Sequence, residues 1–378
     1  MILALKEMLR APVKFTLLGV AISLLVFLIL VQQALAAALV TSFNGALVNQ
    51  SAPVLVYATD ALRAPQGSII TPPMLEAVEA SDEVADAARL GLRTVTLDGT
   101  QLAPETDVTA SLWGYENPDL GGPTTLSEGR LPSGELEAVG SAADYQLGEI
   151  VSIPVTRAPD GSDRVQVEVV GLAKDVQLSV GATLMMPWDT WTDLAQAIDP
   201  NARMQLPSLM AVEPATDAQT TIDDLRAASS DLDPLTAQQA ADEFPGAAQV
   251  NTSFALILGL FGFVVPLVAG LFFLIITLQK SRSLTLLRAI GSRSGVLVRA
   301  LVFQVMAILG GGIVVGTLMY ALAGLVEIGG LTVGFNWQAV ALWAGVLLAL
   351  GLVASLGAVR RVLAIDPIAA TQPGGGRR

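Results

Sequence analysis

The stretch Thr277–Gln304, TLQKSRSLTLLRAIGSRSGVLVRALVFQ, is a short basic segment between two long apolar runs. Leucine and isoleucine recur in it at helical spacing, and Gly291 then provides a natural helix end, because glycine tolerates the left-handed C-terminal position. A cationic amphipathic helix between two membrane spans is typical of a cytoplasmic loop. The basic residues have two explanations. They set the orientation of the chain in the membrane, or they also form a surface that a cytoplasmic partner binds, which is the more specific interpretation. The sequence therefore predicts a membrane protein with a cytoplasmic helix at 279–295.

Composition supports the same class of protein. Hydrophobic residues make up 52% of the chain against 15% charged, with a mean hydropathy of +0.60, which is more apolar than an ordinary soluble enzyme. The chain has no cysteine and no histidine, so disulfides, thiolate metal sites and the usual general base are all excluded. It also lacks the phosphate-binding loop G-x-x-x-x-G-K-(S/T) and the H-E-x-x-H and G-x-S-x-G motifs. We therefore expect a non-catalytic chain with no intrinsic cofactor.

The charges are sorted along the chain. Residues 44–250 contain 31 acidic and nine basic residues, whereas the rest of the chain contains three acidic and 12 basic ones. Such an acidic half argues against a nucleic-acid partner. The basic stretches at 1–14, 280–299 and 360–378 predict that both termini and the loop lie in the cytoplasm, with the acidic part outside.

Four apolar runs are long enough to cross a lipid bilayer. The first contains no charge from 15 to about 40; a signal peptide cleaved near Ala34–Ala36 is the competing interpretation, but signal cores are about 7–15 residues long. The predicted fold is an α-helical membrane protein with four transmembrane helices and an extracytoplasmic mixed α+β domain inserted between helices 1 and 2. Its predicted parts are 1–42 (N-terminal amphipathic helix and span one), 43–250 (outer domain), 251–278 (span two), 279–295 (cytoplasmic helix), 296–326 (span three), 327–336 (outer loop), 337–359 (span four) and 360–378 (cytoplasmic tail).

Local patterns predict elements inside the outer domain and one helix contact in the membrane. Alternating or β-branched runs predict strands at 54–57, 94–97, 150–155 and 165–170. Helices are expected at 73–88 and 220–228. In span three, Gly312 and Gly316 form a small-xxx-small pair that would let another helix approach closely.

Three motifs carry a family resemblance. Arg288–Ser292 matches the pattern (K/R)-x-(I/L/M)-G-(A/S), VLAIDPIAAT at 362–371 follows an Arg-Arg pair, and G-R-x-P, L-G-E-x-V and V-V-G occur in order between 129 and 171. Together they resemble the MacB/FtsX-type permeases, the membrane subunits of a class of ABC transporters. The resemblance implies a homodimer in the cytoplasmic membrane with two copies of a separate ATPase, which binds the ATP. The residues expected to couple to that ATPase are Arg282, Leu287, Arg288, Ile290 and Arg293.

The N-terminal segment LALKE at 3–7, followed by Lys14-Phe15, further resembles the haem-export (HrtB-like) permeases of Gram-positive bacteria. This implies haem as the transported substrate, entering where spans one and two meet the outer domain. The residues at those positions are Gln32, Gln33, Phe43, Asn44, Glu243, Phe244 and Gln249. Where relatives carry a tyrosine before span two, this chain has Pro245-Gly246-Ala247, so Glu243 is the expected iron ligand, since iron also accepts ligands other than histidine, and no other metal site is expected.

Two alternatives remain open at this point. An FtsX-like subunit would transmit the motion of an ATPase to an outer cell-wall hydrolase and would transport nothing. A transporter of the same type would instead export another hydrophobic compound, a peptide or a lipoprotein.

Overall fold

The computed structural model describes residues 12–104, 106–158, 160–202, 204–279, 294–324 and 334–363. Its contacts divide the chain into two units: Ala37–Thr252, and the remaining described residues. In chain order the helices are α1 (Pro12–Val48), α2 (Pro72–Glu79), α3 (Trp188–Ile198), α4 (Ala218–Ala228), α5 (Ala237–Asp242), α6 (Pro245–Gln279), α7 (Ser294–Ala323) and α8 (Trp337–Leu363). The strands are β1 (Val54–Ala58), β2 (Val84–Leu97), β3 (Val108–Tyr115), β4 (Glu128–Gly129), β5 (Glu137–Ser141), β6 (Ile150–Pro154), β7 (Arg164–Ala173), β8 (Ala182–Pro187), β9 (Leu209–Pro214) and β10 (Leu232–Thr236).

Long apolar helices occur where the sequence predicts spans. Three stretches of the described chain are long and apolar enough to cross a membrane: Phe15–Val48 in α1, Pro245–Val264 in α6 and Val302–Ala323 in α7. In α8 the stretch Trp337–Val353 is apolar but shorter, so the count of four spans stays a prediction.

Helix α1, which contains the first predicted span, is longer than expected. The sequence predicts that it gives way to the outer domain at about residue 42, yet α1 continues without a break to Val48. Its last turns are held by tertiary hydrogen bonds, described below, which outweigh the weak helix propensity of Asn44 and Gly45.

The predicted glycine contact of Gly312 and Gly316 is confirmed in α7. A Cβ atom on Gly312 would lie 2.5 Å from Cγ2 of Ile22, and one on Gly316 would lie 2.6 Å from the carbonyl oxygen of Ser23. Both glycines therefore let α7 pack directly against α1, as small residues do in membrane helix pairs. The Ser23 hydroxyl donates to the carbonyl of Gly19 within α1 (2.8 Å), so it is satisfied without a partner from α7.

The unit Ala37–Thr252 is built on a ten-stranded mixed sheet, which confirms the predicted α+β class. Its strand order is β10-β1-β9-β2-β3-β8-β5-β7-β4, with β6 also paired to β7. The pairs β3/β8 and β5/β7 are parallel, and the others are antiparallel. Helix α3 covers part of the sheet, where Gly91 and Gly114 leave room for the indole of Trp191.

One predicted helix is wrong in its second half. The prediction at 73–88 becomes α2, which ends at Glu79, followed by β2 from Val84. The alanine-rich start of β2 favours a helix locally, but it pairs with β9, and the rest of β2 pairs with β3, so tertiary pairing decides the conformation. The helix predicted at 220–228 is confirmed by α4, whose N-cap Asp217 accepts hydrogen bonds from two backbone N–H groups.

Candidate functional site

Three of the residues singled out for the candidate haem site lie together where α1 and α6 join the sheet. Phe244 is buried in one of the hydrophobic clusters of the domain, and Phe43 packs against that cluster. Both rings approach Gly246, on which a Cβ atom would be 2.6 Å from Phe43 and 3.4 Å from Phe244. The buried amide of Asn44 donates to the carbonyl of Ala241 (2.8 Å). This arrangement ties the end of α1 to the start of α6.

Glu243, the expected iron ligand, is held by a cation. Its carboxylate forms an ion pair with the guanidinium of Arg63, whose Nε also donates to Asp233 (2.9 Å). The side chains of Arg63 and Glu243 are 36% and 45% exposed, so water screens the pair. A metal ion would have to compete with Arg63 for this carboxylate.

The other candidate ligand residues lie elsewhere. Gln249 is exposed on α6. Gln32 and Gln33 are half-buried residues of α1 and belong to the other unit, the one that contains the apolar helices. The expected coupling residues Arg282, Leu287, Arg288, Ile290 and Arg293 lie outside the described residues.

A loop of the domain binds the last turns of α1. We call residues 175–181 the helix-binding loop. Within it, the N–H of Val180 donates to the carbonyl of Ser42 (2.8 Å), and the carbonyl of Gln177 accepts from the N–H of Ala46 (3.0 Å). The Ser42 carbonyl and the Ala46 N–H stand four residues apart in the continuous helix α1, and each has a partner in the loop. The helix is therefore fixed to the domain through its own backbone.

Glycine makes this close approach possible. A Cβ atom on Gly45 would lie 2.3 Å from the carbonyl oxygen of Asp175, and the side chain of Asn49 donates to the same carbonyl (2.7 Å). Any larger residue at position 45 would push the loop off the helix.

A chain of polar side chains runs from α1 into the domain at the same place. The Ser42 hydroxyl donates to Oε1 of Gln177 (2.9 Å), and Nε2 of Gln177 donates to Oδ2 of Asp144 (2.8 Å). Burial raises the pKa of the Asp144 carboxyl, and the hydrogen bond from Gln177 opposes the rise. The last turns of α1 thus contact a half-buried ionisable group of the α/β unit.

The motif pieces found between 129 and 171 converge on β7. Gly129 pairs with Gly171, the N–H of Arg130 donates to the carbonyl of Val170 (3.0 Å), and the N–H of Gly148 donates to the carbonyl of Val169 (2.8 Å). Gly129 and Gly148 both have positive φ, 75° and 78°, which glycine adopts without strain. The motif therefore specifies the junction of three chain segments.

Beside this junction, Arg130 forms a two-pronged ion pair with Glu137, with contacts of 2.6 and 2.7 Å. The guanidinium, together with the N–H groups of Ser133 and Gly134, holds the pKa of Glu137 at about 2. The arginine of the motif is thus engaged in orienting the 131–137 turn.

A separate apolar groove lies between α1 and α7. It has a volume of about 490 Å³ and is lined by Pro12, Phe15, Thr16, Gly19, Val20, Ser23, Ala307, Ile308, Gly311, Gly312 and Val315. It opens beside the contact made by Gly312. Its lining suits an apolar chain and offers no ionisable group.

No group of three or more His, Cys, Asp or Glu side chains in the described residues is arranged to hold a metal ion.

The sequence did not point to three residues of these contacts, Arg63, Gln177 and Asp144. No local pattern marks them, because Arg63 and Gln177 reach their partners across 170 and 135 residues.

Neither a family model nor a curated protein sequence matches the chain. Among solved structures, the periplasmic region of MacB from Actinobacillus actinomycetemcomitans is similar with 12% sequence identity and a TM-score of 0.33, covering 50% of this chain and 91% of that one. The extracellular domain of the ABC-type transporter YknZ from Gram-positive bacteria is similar with 13% identity and a TM-score of 0.31, covering 48% of this chain and 98% of that one. Both similarities involve about half of the present chain.

Proposed function

We propose that this chain is the membrane subunit of an ABC-type transporter of the MacB/FtsX type, driven by ATP hydrolysis in a separate subunit. The observation that carries the proposal is the attachment of both apolar helices to one folded domain. Helix α1 runs unbroken into the domain and is held there by the helix-binding loop, while α6 starts three residues after Asp242 and is tied to α1 through Asn44 and Ala241.

The motif resemblance at 288–292 and 362–371 supplies the rest of this proposal. Two copies of the chain would pair in the cytoplasmic membrane, with both termini inside and the domain outside. Each would receive one ATPase subunit on the basic stretch around Arg288 and Ile290. The separation of acidic and basic residues along the chain supports this orientation.

For the cargo we propose haem, taken from the outer leaflet and expelled. Haem is flat and apolar, so it partitions into a bilayer and can approach the protein sideways. Phe43, which is partly buried, offers an aromatic ring beside Gly246, and Glu243 offers a carboxylate near Gly246 in sequence, whereas Phe244 is buried in the hydrophobic cluster. Because Arg63 already pairs with Glu243, haem binding in this site would require the ion pair to open.

That requirement makes the test specific. The absorption spectrum of haemin would be recorded with the purified full-length chain and with Glu243→Gln, Arg63→Gln and Asp242→Asn. We expect a shifted Soret band with the wild type, no such shift with Glu243→Gln, and saturation at a lower haemin concentration with Arg63→Gln, because the competing cation is gone. Asp242→Asn is the matched control, since the neighbouring acid bonds to Gln238 rather than Arg63, and it should behave as the wild type.

Two outcomes would count against the cargo assignment. A Soret band that is the same in Glu243→Gln and wild type removes Glu243 as the ligand. A haemin spectrum unchanged by the wild-type protein removes haem as the cargo, and it leaves the transporter proposal to be tested separately.

A further inference from the structure

The groove between α1 and α7 exists because two glycines leave space beside a close helix contact. No atom lies within 4 Å of the Cβ positions of Gly19 and Gly311, and both residues line the groove. Next to them Gly312 is in close contact with Ile22, so the helices touch at one glycine and leave room at the other two. Val20 and Val315 also line the groove and are half exposed, so it is open to its surroundings.

The size of the groove suits one hydrocarbon chain. Its volume of about 490 Å³ lies in the usual range of small-molecule sites, about 300–1,000 Å³. A helix of comparable length, with a diameter of about 10 Å and a rise of 1.5 Å per residue, would occupy roughly 1,300 Å³. The groove is therefore too small to enclose a helix, whereas a single flexible chain fits.

The lining asks for an apolar ligand. Its described residues include the hydroxyls of Thr16 and Ser23 and no ionisable side chain. The Ser23 hydroxyl already donates to the carbonyl of Gly19 (2.8 Å), so it needs no partner from a ligand. Atoms that line an unfilled space lose van der Waals contacts on that side, and a hydrocarbon chain would restore them.

The groove has the length of one bilayer leaflet. From Pro12 to Ser23 it follows α1 for about 16 Å at 1.5 Å rise per residue, and half of a hydrocarbon core of about 30 Å is about 15 Å. Its Pro12 end coincides with the start of the apolar stretch at Phe15. Residues 1–14 carry three basic residues and one acidic residue, and basic segments beside a membrane span attract anionic headgroups.

We propose that this groove binds one acyl chain of an anionic phospholipid from the leaflet that contacts residues 1–14, with the headgroup beside that basic stretch. The chain fills the space left by Gly19 and Gly311, and the headgroup charge selects the lipid. This inference requires that the chain spans a membrane. It does not depend on the ATPase or on the cargo proposed above.

Photocrosslinking tests the position of the acyl chain. The full-length protein would be reconstituted in phosphatidylcholine vesicles that contain a phosphatidylglycerol with a diazirine on one acyl chain, and labelled peptides would be identified by mass spectrometry. We expect preferential labelling of 12–23 and 307–315. Helix α6, where Leu260 and Phe263 are exposed, is the reference for contact with bulk lipid. Labelling of α6 alone would overturn the site, and no labelling at all would overturn it together with the membrane assignment.

Filling the groove provides matched variants. Gly311→Leu and Gly19→Leu each place a side chain in it, and neither Cβ meets a neighbouring atom. Gly310→Leu is the control, because its Cβ position is equally open and Gly310 is not among the lining residues. We expect groove labelling to be lost in both filling variants and kept in the control. Because the two filling variants lie on different helices, one remains informative if the other folds poorly. Labelling that persists in the filled groove would contradict the proposal.

Two further measurements separate the alternatives. A phosphatidylcholine probe with the same diazirine chain should label the groove several-fold less than the phosphatidylglycerol probe and should label α6 equally; equal groove labelling would refute the selection by charge. Because the chain has no cysteine, Gly311→Cys reports on a second copy of the protein. We expect no disulfide-linked dimer after mild oxidation. A dimer linked through residue 311 would place a protein helix at the groove and would overturn the lipid assignment.

Discussion

Gly45 shows at the scale of one residue how the last turns of α1 are fixed to the α/β unit. Its missing side chain lets the carbonyl of Asp175 approach the helix to a distance that no Cβ atom would permit. The backbone carbonyl of Ser42 and the backbone N–H of Ala46 then form hydrogen bonds with the same loop. The attachment thus depends on one small residue and several backbone hydrogen bonds.

Gly45→Ala is expected to destabilise the domain. The added Cβ would lie 2.3 Å from Asp175 O and 3.0 Å from its carbonyl carbon, and backbone cannot yield as a flexible side chain does, so a loss of about 1–3 kcal/mol is expected. Gly67→Ala is the control, because nothing lies within 4 Å of its Cβ position. Thermal unfolding of the purified full-length chain, followed by tryptophan fluorescence, would measure both. Equal midpoints for the two variants would contradict the close contact.

At the scale of elements, the packing of α1 against α7 rests on the pair Gly312 and Gly316. The sequence predicted this contact from spacing alone, although it gave no indication of the partner helix. The partner surface, Ile22, Ser23 and Val26, consists of ordinary membrane residues that carry no distinguishing pattern. The spacing of small residues therefore predicts that another helix packs closely at this position. The three-dimensional structure is needed to identify that helix.

The double variant Ile22→Cys/Gly312→Cys should form a disulfide on mild oxidation. A Cβ on Gly312 would be 3.0 Å from the Cβ of Ile22, so a small outward shift reaches the usual Cβ–Cβ separation of about 3.5–4.5 Å. Ile22→Cys/Gly310→Cys is the matched pair, two residues away on the same helix, since nothing lies within 4 Å of the Gly310 Cβ position. Counting free thiols with a maleimide polymer before and after oxidation distinguishes the two. Free thiols in the first pair, or loss of thiols in both pairs, would refute the α1/α7 arrangement.

At the scale of the whole molecule, long apolar helices occur where the sequence predicts spans, whereas the contacts of the candidate site were not predicted. Charge-free runs predict such helices because each run can be recognised from its own composition. The start of β2 was predicted as helix because its identity depends on β9, more than 100 residues away. The Asn44–Ala241 bond joins residues 197 positions apart, and Arg63 reaches Glu243 across a similar distance. Such pairs depend on tertiary folding, so no local pattern reveals them.

We propose that a separate ABC-type ATPase drives this chain. The most direct measurement is ATP hydrolysis by the complex purified through a tag on the full-length chain, with mass spectrometry to identify the co-purified subunit. We expect an ABC-type ATPase bound to the wild type, with hydrolysis that responds to the cargo, and loss of that response in the double variant Arg288→Glu/Ile290→Asp. A wild-type chain that carries no ATPase and yet exports its cargo in vesicles without ATP would contradict the claim.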